Sequence, residues 1–265
     1  MGFDPLRAQA LSQTDPDLSR RILARFKRLV AHPSPSGFGG IHYQDYDLRG
    51  AICCTAEEAM LLYWLVRLID PLHPLEIGSY VGWSTAHLLA ASRRPVQCVD
   101  SFTEVSADAA GDASGFLAPM RFSGEARMVE NLTRCELRHF HLTVGASPAC
   151  LERIAPLAGW DFVFLDGEHS GGQPMRDVDG LSEHLSDDGV IVLHDVWLPD
   201  VRKALERLKS LGYSAFTFAT ANLLTVTWRQ APLHAAGWPG SLSRLETLYA
   251  CPDERLRERV RALGL

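Results

Sequence analysis

The sequence predicts an α/β fold in which helices cover both faces of a mostly parallel seven-stranded sheet with an antiparallel last strand. Short apolar runs alternate with helix-like stretches through the middle of the chain, and strands separated by helices pair in parallel. A hairpin follows the last of these helices, so the final strand must reverse direction. The chain has 265 residues, which suits one large domain of this kind.

The alternation defines five strands before the hairpin. Each is a short apolar run, and together they cover residues 74–77, 96–100, 139–144, 161–166 and 190–194. The stretches between them have helical character and cover residues 83–92, 124–135, 147–157 and 173–185. A helix at 199–211 then precedes two β-type runs, 214–219 and 222–228, which a short Thr-Ala turn separates.

Three regions follow from this pattern. Residues 1–54 contain a predicted helix and a loop rich in Pro, Ser and Gly, which we interpret as a cap or lid. Residues 55–230 form the central domain, which opens with a helix because Thr55 and Glu58 make a capping-box pattern. An insertion at 103–126 is long for a connection and is interpreted as a lid or substrate loop, with a plain surface insertion as the alternative. Residues 231–265 form a tail with a charged C-terminal helix.

Composition excludes several classes of protein. With 46% hydrophobic and 22% charged residues, the chain is neither disordered nor a coiled coil. Its net charge of −6 provides no basic surface for a nucleic acid. No stretch is long and apolar enough for a membrane span, and no secretory signal is visible at the start. We therefore expect a cytoplasmic protein that binds neither nucleic acid nor membrane, with a small molecule as its partner.

A glycine-containing turn follows the first predicted strand. Gly78 and Gly82 lie between this strand and the next helix, whose free N–H groups suit an anionic ligand. Their GxxxG spacing differs from the GxGxxG of a dinucleotide site. Asp100 ends the second strand, where a carboxylate can accept both hydroxyls of a ribose. The turn and the acid together indicate a nucleoside-containing ligand without a pyrophosphate.

Several motifs resemble those of a known family. The segment LEIGSYVGWST at 75–85 looks like the S-adenosylmethionine site of class I methyltransferases, particularly the catechol and caffeoyl-CoA O-methyltransferases. The segments FLDGEH at 164–169 and VLHD at 192–195 resemble the metal-bearing strand ends of that family. They look still closer to the macrolide-sugar and aminocoumarin-sugar O-methyltransferases of secondary metabolism. The resemblance covers roughly residues 55–229 and implies a Rossmann-like methyltransferase fold.

The resemblance also implies contacts with S-adenosylmethionine. Glu76 would meet the methionine end or anchor the turn, and Asp100 would take the ribose hydroxyls. The positions that match the cofactor site of the family are Glu76, Gly78, Tyr80, Ser84, Asp100, Ser101, Phe102, Ala146, Ser147 and Asp166. Ala146 and Ser147 belong to a Gly-Ala-Ser segment after the third strand, which the family places at the adenine.

The ends of the fourth and fifth strands form an acidic centre. The resemblance places the metal ligands on Asp166, His194 and Asp195. The family typically has Asp where this chain has His194, and an imidazole favours Mn²⁺, Fe²⁺ or Zn²⁺ over Mg²⁺. His169 stands where the catechol-type enzymes have a catalytic lysine, so it is the candidate base. Asp166 and His194 are further catalytic candidates, and His194 would equally serve as a base without a metal.

Three functions are compatible with these residues. The first is metal-assisted O-methylation of a hydroxyl on a natural-product or sugar-like small molecule, with Mg²⁺ or Mn²⁺ as the cation. The second is metal-independent N- or C-methylation with His169 and His194 in acid-base roles. The third is a non-catalytic partner protein that binds S-adenosylmethionine.

Three further expectations concern the surface of the protein. Asp177 and Asp179 are predicted on an exposed helix face, and Trp197 is predicted either to wall the substrate pocket or to serve only in packing. The long N-terminal helix and the C-terminal tail are candidates for the contact of a homodimer.

Overall fold

The structure of the protein is a computed structural model that describes residues 54–102, 124–235, 237–250 and 254–265. The predicted N-terminal cap, except Cys54, and nearly all of the predicted insertion lie outside the described residues. No helix within the described ranges is long and apolar enough to cross a membrane.

A single seven-stranded sheet forms the centre of the protein. The strands are β1 (Pro74–Ile77), β2 (Val96–Asp100), β3 (Phe140–Val144), β4 (Trp160–Leu165), β5 (Leu185–Leu193), β6 (Ser214–Thr217) and β7 (Thr225–Trp228). Their order across the sheet is β3-β2-β1-β4-β5-β7-β6. Strand β7 runs antiparallel to both of its neighbours, and the other pairs are parallel. The predicted fold class is confirmed.

Helices pack on both faces of this sheet. They are α1 (Ala56–Ile69), α2 (Trp83–Ala91), α3 (Gly124–Arg134), α4 (Leu151–Ile154), α5 (Gln173–Ser182), α6 (Pro199–Ser210), α7 (Gly240–Leu245) and α8 (Glu254–Ala262), with a π-helical turn at Glu246–Ala250. Successive residues of β4 point to opposite faces, so Phe162 and Phe164 pack with α1 and α2 while Val163 and Leu165 pack with α5 and α6. Two apolar cores therefore hold the strand ends in fixed positions.

Two elements differ most from their predicted bounds. Helix α4 has one turn instead of the predicted 147–157, because Pro148 and Pro156 flank it and the residue before a proline avoids helical backbone. Ala155, which precedes Pro156, is accordingly extended at ψ 131°. Strand β5 begins at Leu185, earlier than predicted, and a register shift interrupts its pairing with β4 before Val190.

The carboxyl ends of the central strands meet at one edge of the sheet. Ile77 pairs with Val99 and with Leu165, and Leu165 pairs with Leu193. The residues that follow these strands therefore lie side by side, at the point where the strand order reverses around β1. This edge, called the carboxyl edge below, is where ligands bind in open α/β sheets.

Candidate active site

Gly78 begins the turn after β1 and brings it against the end of β4. Its φ is +91°, and a Cβ on it would lie 2.0 Å from the carbonyl oxygen of Asp166. Only glycine combines this backbone conformation with so close an approach. Gly78, a predicted cofactor residue, thus lies directly against Asp166, a residue of the predicted metal centre.

Glu76 anchors the same turn from beneath. Its side chain is fully buried and accepts hydrogen bonds from the hydroxyls of Ser79 (2.8 Å), Ser84 (2.6 Å) and Thr85 (2.5 Å). Burial raises the pKa of Glu76 to about 7, although the three hydroxyls oppose the shift. Of the two roles considered for Glu76, the geometry favours the anchor. The Ser84 hydroxyl is engaged in this network, and its contact with a cofactor stays a prediction.

Asp100 organises the loops on either side of the predicted ribose site. One carboxylate oxygen accepts the backbone N–H of Tyr80 at 2.7 Å, and the other accepts that of Phe102 at 2.7 Å. Tyr80 and Phe102 both have positive φ, of 45° and 46°. A carboxylate has about four acceptor positions, so Asp100 retains capacity for two hydroxyl donors. Ser101 lies between these groups and is exposed.

The predicted adenine residues follow β3 at the same edge. Ala146 is exposed, whereas the Ser147 hydroxyl donates to Asp177 at 2.8 Å. Gln173 donates to the Ser147 carbonyl (2.6 Å) and to Asp177 (2.7 Å), which is 1% exposed. The expectation of an exposed Asp177 is wrong, because the loop after β3 covers this face of α5. Burial raises the pKa of Asp177. Asp179 is exposed, as expected.

Four ionisable side chains meet at the ends of β4 and β5. Potential ligand atoms of Asp166, His169, His194 and Asp195 all lie within 4.8 Å of one another. His194 Nδ1 lies 2.9 Å from Asp166 Oδ1 and 3.2 Å from Asp195 Oδ2, while His169 Nε2 lies 3.2 Å and 3.6 Å from the same two atoms. We call these four residues the His-Asp cluster. The structure brings together every predicted catalytic and metal-ligand residue, but their roles stay predictions.

The charges in the cluster are mutually stabilising. Burial favours a neutral His194, but the carboxylates of Asp166 and Glu58 outweigh it and hold the pKa of His194 well above 6.5. The pKa of His169 is likewise raised, because its contact with Asp166 outweighs burial. Burial would raise the pKa of Asp166, yet His194 and His169 keep it below its ordinary value.

Glu58 is the site residue that sequence reasoning missed. Its carboxylate is 0% exposed and lies 3.1 Å from His194 Nε2. Burial would raise the pKa of Glu58, but His194 and several hydrogen bonds, including those from Thr55 and Thr220, lower it to about 2. The predicted capping box is confirmed, since both hydrogen bonds between Thr55 and Glu58 form. The capping box explains Glu58 locally, and it gives no indication of the contact with His194, which lies 136 residues further along the chain.

Asp195 and Trp197 form one side of the cluster. Asp195 adopts a left-handed backbone conformation with φ of 56°, which is strained for a residue with a side chain. Its Oδ1 accepts the indole N–H of Trp197 at 2.8 Å, and Trp197 is 39% exposed. The guanidinium of Arg259, from α8, stacks 5.2 Å from the centre of the Trp197 ring. The C-terminal helix therefore adjoins the predicted substrate wall.

The donor atoms fit a divalent transition-metal ion. Two carboxylates and two imidazoles converge, and His194 directs Nδ1 to this point while Nε2 contacts Glu58. A carboxylate behind a ligating histidine is the usual support of such sites. Imidazole donors suit Mn²⁺, Fe²⁺ or Zn²⁺ better than Mg²⁺. Asp166, His194 and Asp195, with His169 alongside, are the residues that would hold the ion.

Comparison with a protein-family model finds a methyltransferase domain over residues 75–196. This range runs from Leu75, the second residue of β1, past the end of β5 and contains the whole His-Asp cluster. The search of the curated proteins gave no match.

Several solved structures share the fold. An O-methyltransferase from Bacillus cereus in complex with S-adenosylhomocysteine is 16% identical, with a TM-score of 0.54 over 70% of this chain and 87% of that one. TomG, an O-methyltransferase of tomaymycin synthesis from Streptomyces achromogenes, is 15% identical, with a TM-score of 0.54 over 71% and 85%. The methyltransferase PaMTH1 from Podospora anserina is 13% identical, with a TM-score of 0.56 over 87% and 98%.

The sheet order, the turn at Gly78 and the matched domain agree with one another. Residues 75–196 therefore match a methyltransferase domain, and the described residues have the fold of the solved methyltransferases.

Proposed function

We propose that the protein is an S-adenosylmethionine-dependent methyltransferase that acts on a hydroxyl oxygen of a small molecule, with a divalent cation at Asp166, His194 and Asp195. The observation that carries the proposal is the contact between the Gly78 turn and Asp166, because it joins the predicted cofactor site to the His-Asp cluster. A methyl donor bound along the turn would end beside groups that can orient and deprotonate an acceptor. Methyl transfer from a sulfonium requires little else than this arrangement.

His169 is the proposed general base. Its side chain is 30% exposed, against 12% for Asp166, 17% for Asp195 and 3% for His194. It is therefore the member of the cluster most open to an acceptor. His169 would take the hydroxyl proton as the oxygen forms its bond with the methyl carbon and the carbon–sulfur bond breaks. Asp166 holds the imidazole in place through its 3.2 Å contact with Nε2.

The cation, when bound, would lower the pKa of the acceptor hydroxyl and fix its position. Trp197 supports a planar or hydrophobic acceptor, since its indole is tied to Asp195 and still partly exposed. The role of TomG in tomaymycin synthesis, together with the shared fold, supports a natural-product or sugar-like acceptor. Mn²⁺ is the first cation to test, with Mg²⁺ beside it.

The test combines binding with turnover. Calorimetry with S-adenosylhomocysteine establishes the cofactor site, and a panel of catechols, phenols and hydroxylated sugars is then assayed with Mn²⁺, with Mg²⁺ and after EDTA treatment. The proposal predicts activity that EDTA removes and Mn²⁺ restores, and Asp195→Asn should weaken the response to Mn²⁺. Cofactor binding without turnover on any acceptor would instead favour a non-catalytic partner protein.

A second candidate function is methylation without a metal, on nitrogen or carbon. It is favoured by the direct contacts of both imidazoles with carboxylates, which satisfy the cluster as it stands. His169 and His194 would then be the acid-base pair. Activity that is indifferent to EDTA would select this candidate over the first.

A further inference from the structure

We propose that Glu58 is a positioning residue that fixes the His194 ring so that Nδ1, and not Nε2, faces the cation site. This inference rests on the proposed function, because it concerns how the chain presents one of its cation ligands. Glu58 lies outside the matched domain of residues 75–196.

The two nitrogens of His194 point to different partners. Nε2 lies 3.1 Å from Glu58 Oε2, while Nδ1 lies 2.9 Å from Asp166 Oδ1 and 3.2 Å from Asp195 Oδ2. Only Nδ1 can therefore bind an ion together with the two aspartates. The ring is 3% exposed and lies edge-on to Phe164 with centroids 6.1 Å apart, so packing opposes a flip.

Glu58 can only accept a hydrogen bond in its contact with His194. Its Oε2 accepts the Thr55 N–H (2.8 Å) and the Asn222 side-chain amide (3.1 Å), and its Oε1 accepts the Asn222 backbone N–H (2.9 Å). An ionised carboxylate is purely an acceptor, so His194 must donate from Nε2. In the metal-free protein Nδ1 donates as well, to Asp166 Oδ1 at 2.9 Å, and a bound cation would take the place of that Nδ1 proton while Nε2 keeps the proton that it donates to Glu58.

The surroundings of Glu58 make it a rigid acceptor. It is fixed at the beginning of α1 by the capping box and at the turn between β6 and β7 by Asn222. A neutral residue in its place would accept the Nε2 proton more weakly and would also permit the reverse tautomer. Loss of such a supporting group typically lowers metal affinity by about 10- to 100-fold.

The test compares two neighbouring glutamates. Co²⁺ is titrated into wild type, Glu58→Gln and Glu57→Gln, and binding is followed by visible absorption. Glu57 is exposed on the same turn of α1, so its substitution changes net charge equally without touching His194. The expected result is a Kd for Co²⁺ raised about 10- to 100-fold in Glu58→Gln and unchanged in Glu57→Gln. S-adenosylhomocysteine binding serves as the check that each variant is folded.

A second measurement uses only the wild-type protein. With Zn²⁺ bound, ¹⁵N NMR of the imidazoles should show a His194 that is protonated at Nε2 and ligated at Nδ1, with the signal assigned by its loss in His194→Asn. A proton on Nδ1 would overturn the inference, even if Glu58→Gln failed to fold. Equal Co²⁺ affinity in wild type and folded Glu58→Gln would overturn it as well, while leaving the proposed function intact. Absence of Co²⁺ binding in wild type would remove the cation from the proposed function and this inference with it.

Discussion

Replacement of Gly78 by alanine should separate the cofactor turn from the His-Asp cluster. The new Cβ would lie 2.0 Å from the Asp166 carbonyl oxygen, whereas ordinary contact begins at 3.4 Å, so the backbone must move by about 1.4 Å. The positive φ adds about 1–2 kcal/mol of strain, and forced repacking adds about 1–3 kcal/mol. Misplacement of about 1 Å near reacting groups typically costs about 100-fold in rate.

Gly212→Ala is a matched control for this substitution. Gly212 has a φ of +87°, close to the +91° of Gly78, yet a Cβ there would meet nothing within 4 Å. It therefore reports the strain of the backbone conformation without the collision. We expect calorimetry to show weaker S-adenosylhomocysteine binding, and melting curves a larger fall in Tm, for Gly78→Ala than for Gly212→Ala. Equal effects of the two substitutions would refute the close-approach argument.

Three further predictions concern individual charged groups. Asp100→Ala should lower S-adenosylhomocysteine affinity by about 10- to 100-fold, since hydrogen bonds to a charged group contribute about 1.5–3 kcal/mol; unchanged calorimetric affinity would count against the ribose role. In the metal-free protein, an imidazole NMR titration should give His169 a pKa above 6.5, because Asp166 favours its protonated form, and bound cation should lower that pKa by neutralising the carboxylate; a metal-free value at or below 6.5 would contradict this. Glu58 has a folded pKa of about 2 against an ordinary 4.5, so its ionised form contributes about 3 kcal/mol above pH 4.5 that is lost as the pH falls toward 2. The free energy of urea unfolding of the metal-free protein should therefore fall more steeply with decreasing pH in wild type than in Glu58→Gln. An equal pH dependence of the two free energies would disprove the linkage.

The parts of the site that follow strands could be predicted from the sequence. Asp100, Asp166 and His194 each come directly after a buried apolar run, and parallel strands deliver such residues to one edge whatever their separation in the chain. The same periodicity located the sheet and its antiparallel last strand. These predictions depend on the local apolar pattern of each strand and on the rule that the carboxyl ends of parallel strands meet at one edge of the sheet.

The parts that depend on side-chain packing could not be predicted. Glu58 already had a local explanation in the capping box, and nothing in the sequence indicates that its carboxylate also meets His194. Asp177 stands among polar residues of α5, yet Ser147 and Gln173 enclose it. In both cases a long-range neighbour decides the environment, and no periodicity encodes that neighbour.

The reversed direction of β7 has a consequence for the order in which the site is completed. Because β6 runs parallel to β5, the turn between β6 and β7 returns to the carboxyl edge, where Asn222 reaches Glu58. A growing chain that has emerged only as far as β3 already contains Gly78 and Asp100, which belong to the predicted cofactor site. The support behind His194 joins residues 164 positions apart and can close only after the hairpin has been synthesised. The cofactor turn therefore depends on contacts between residues closer in sequence than those that support the cation ligand His194. That support is complete only when the turn between β6 and β7 has formed.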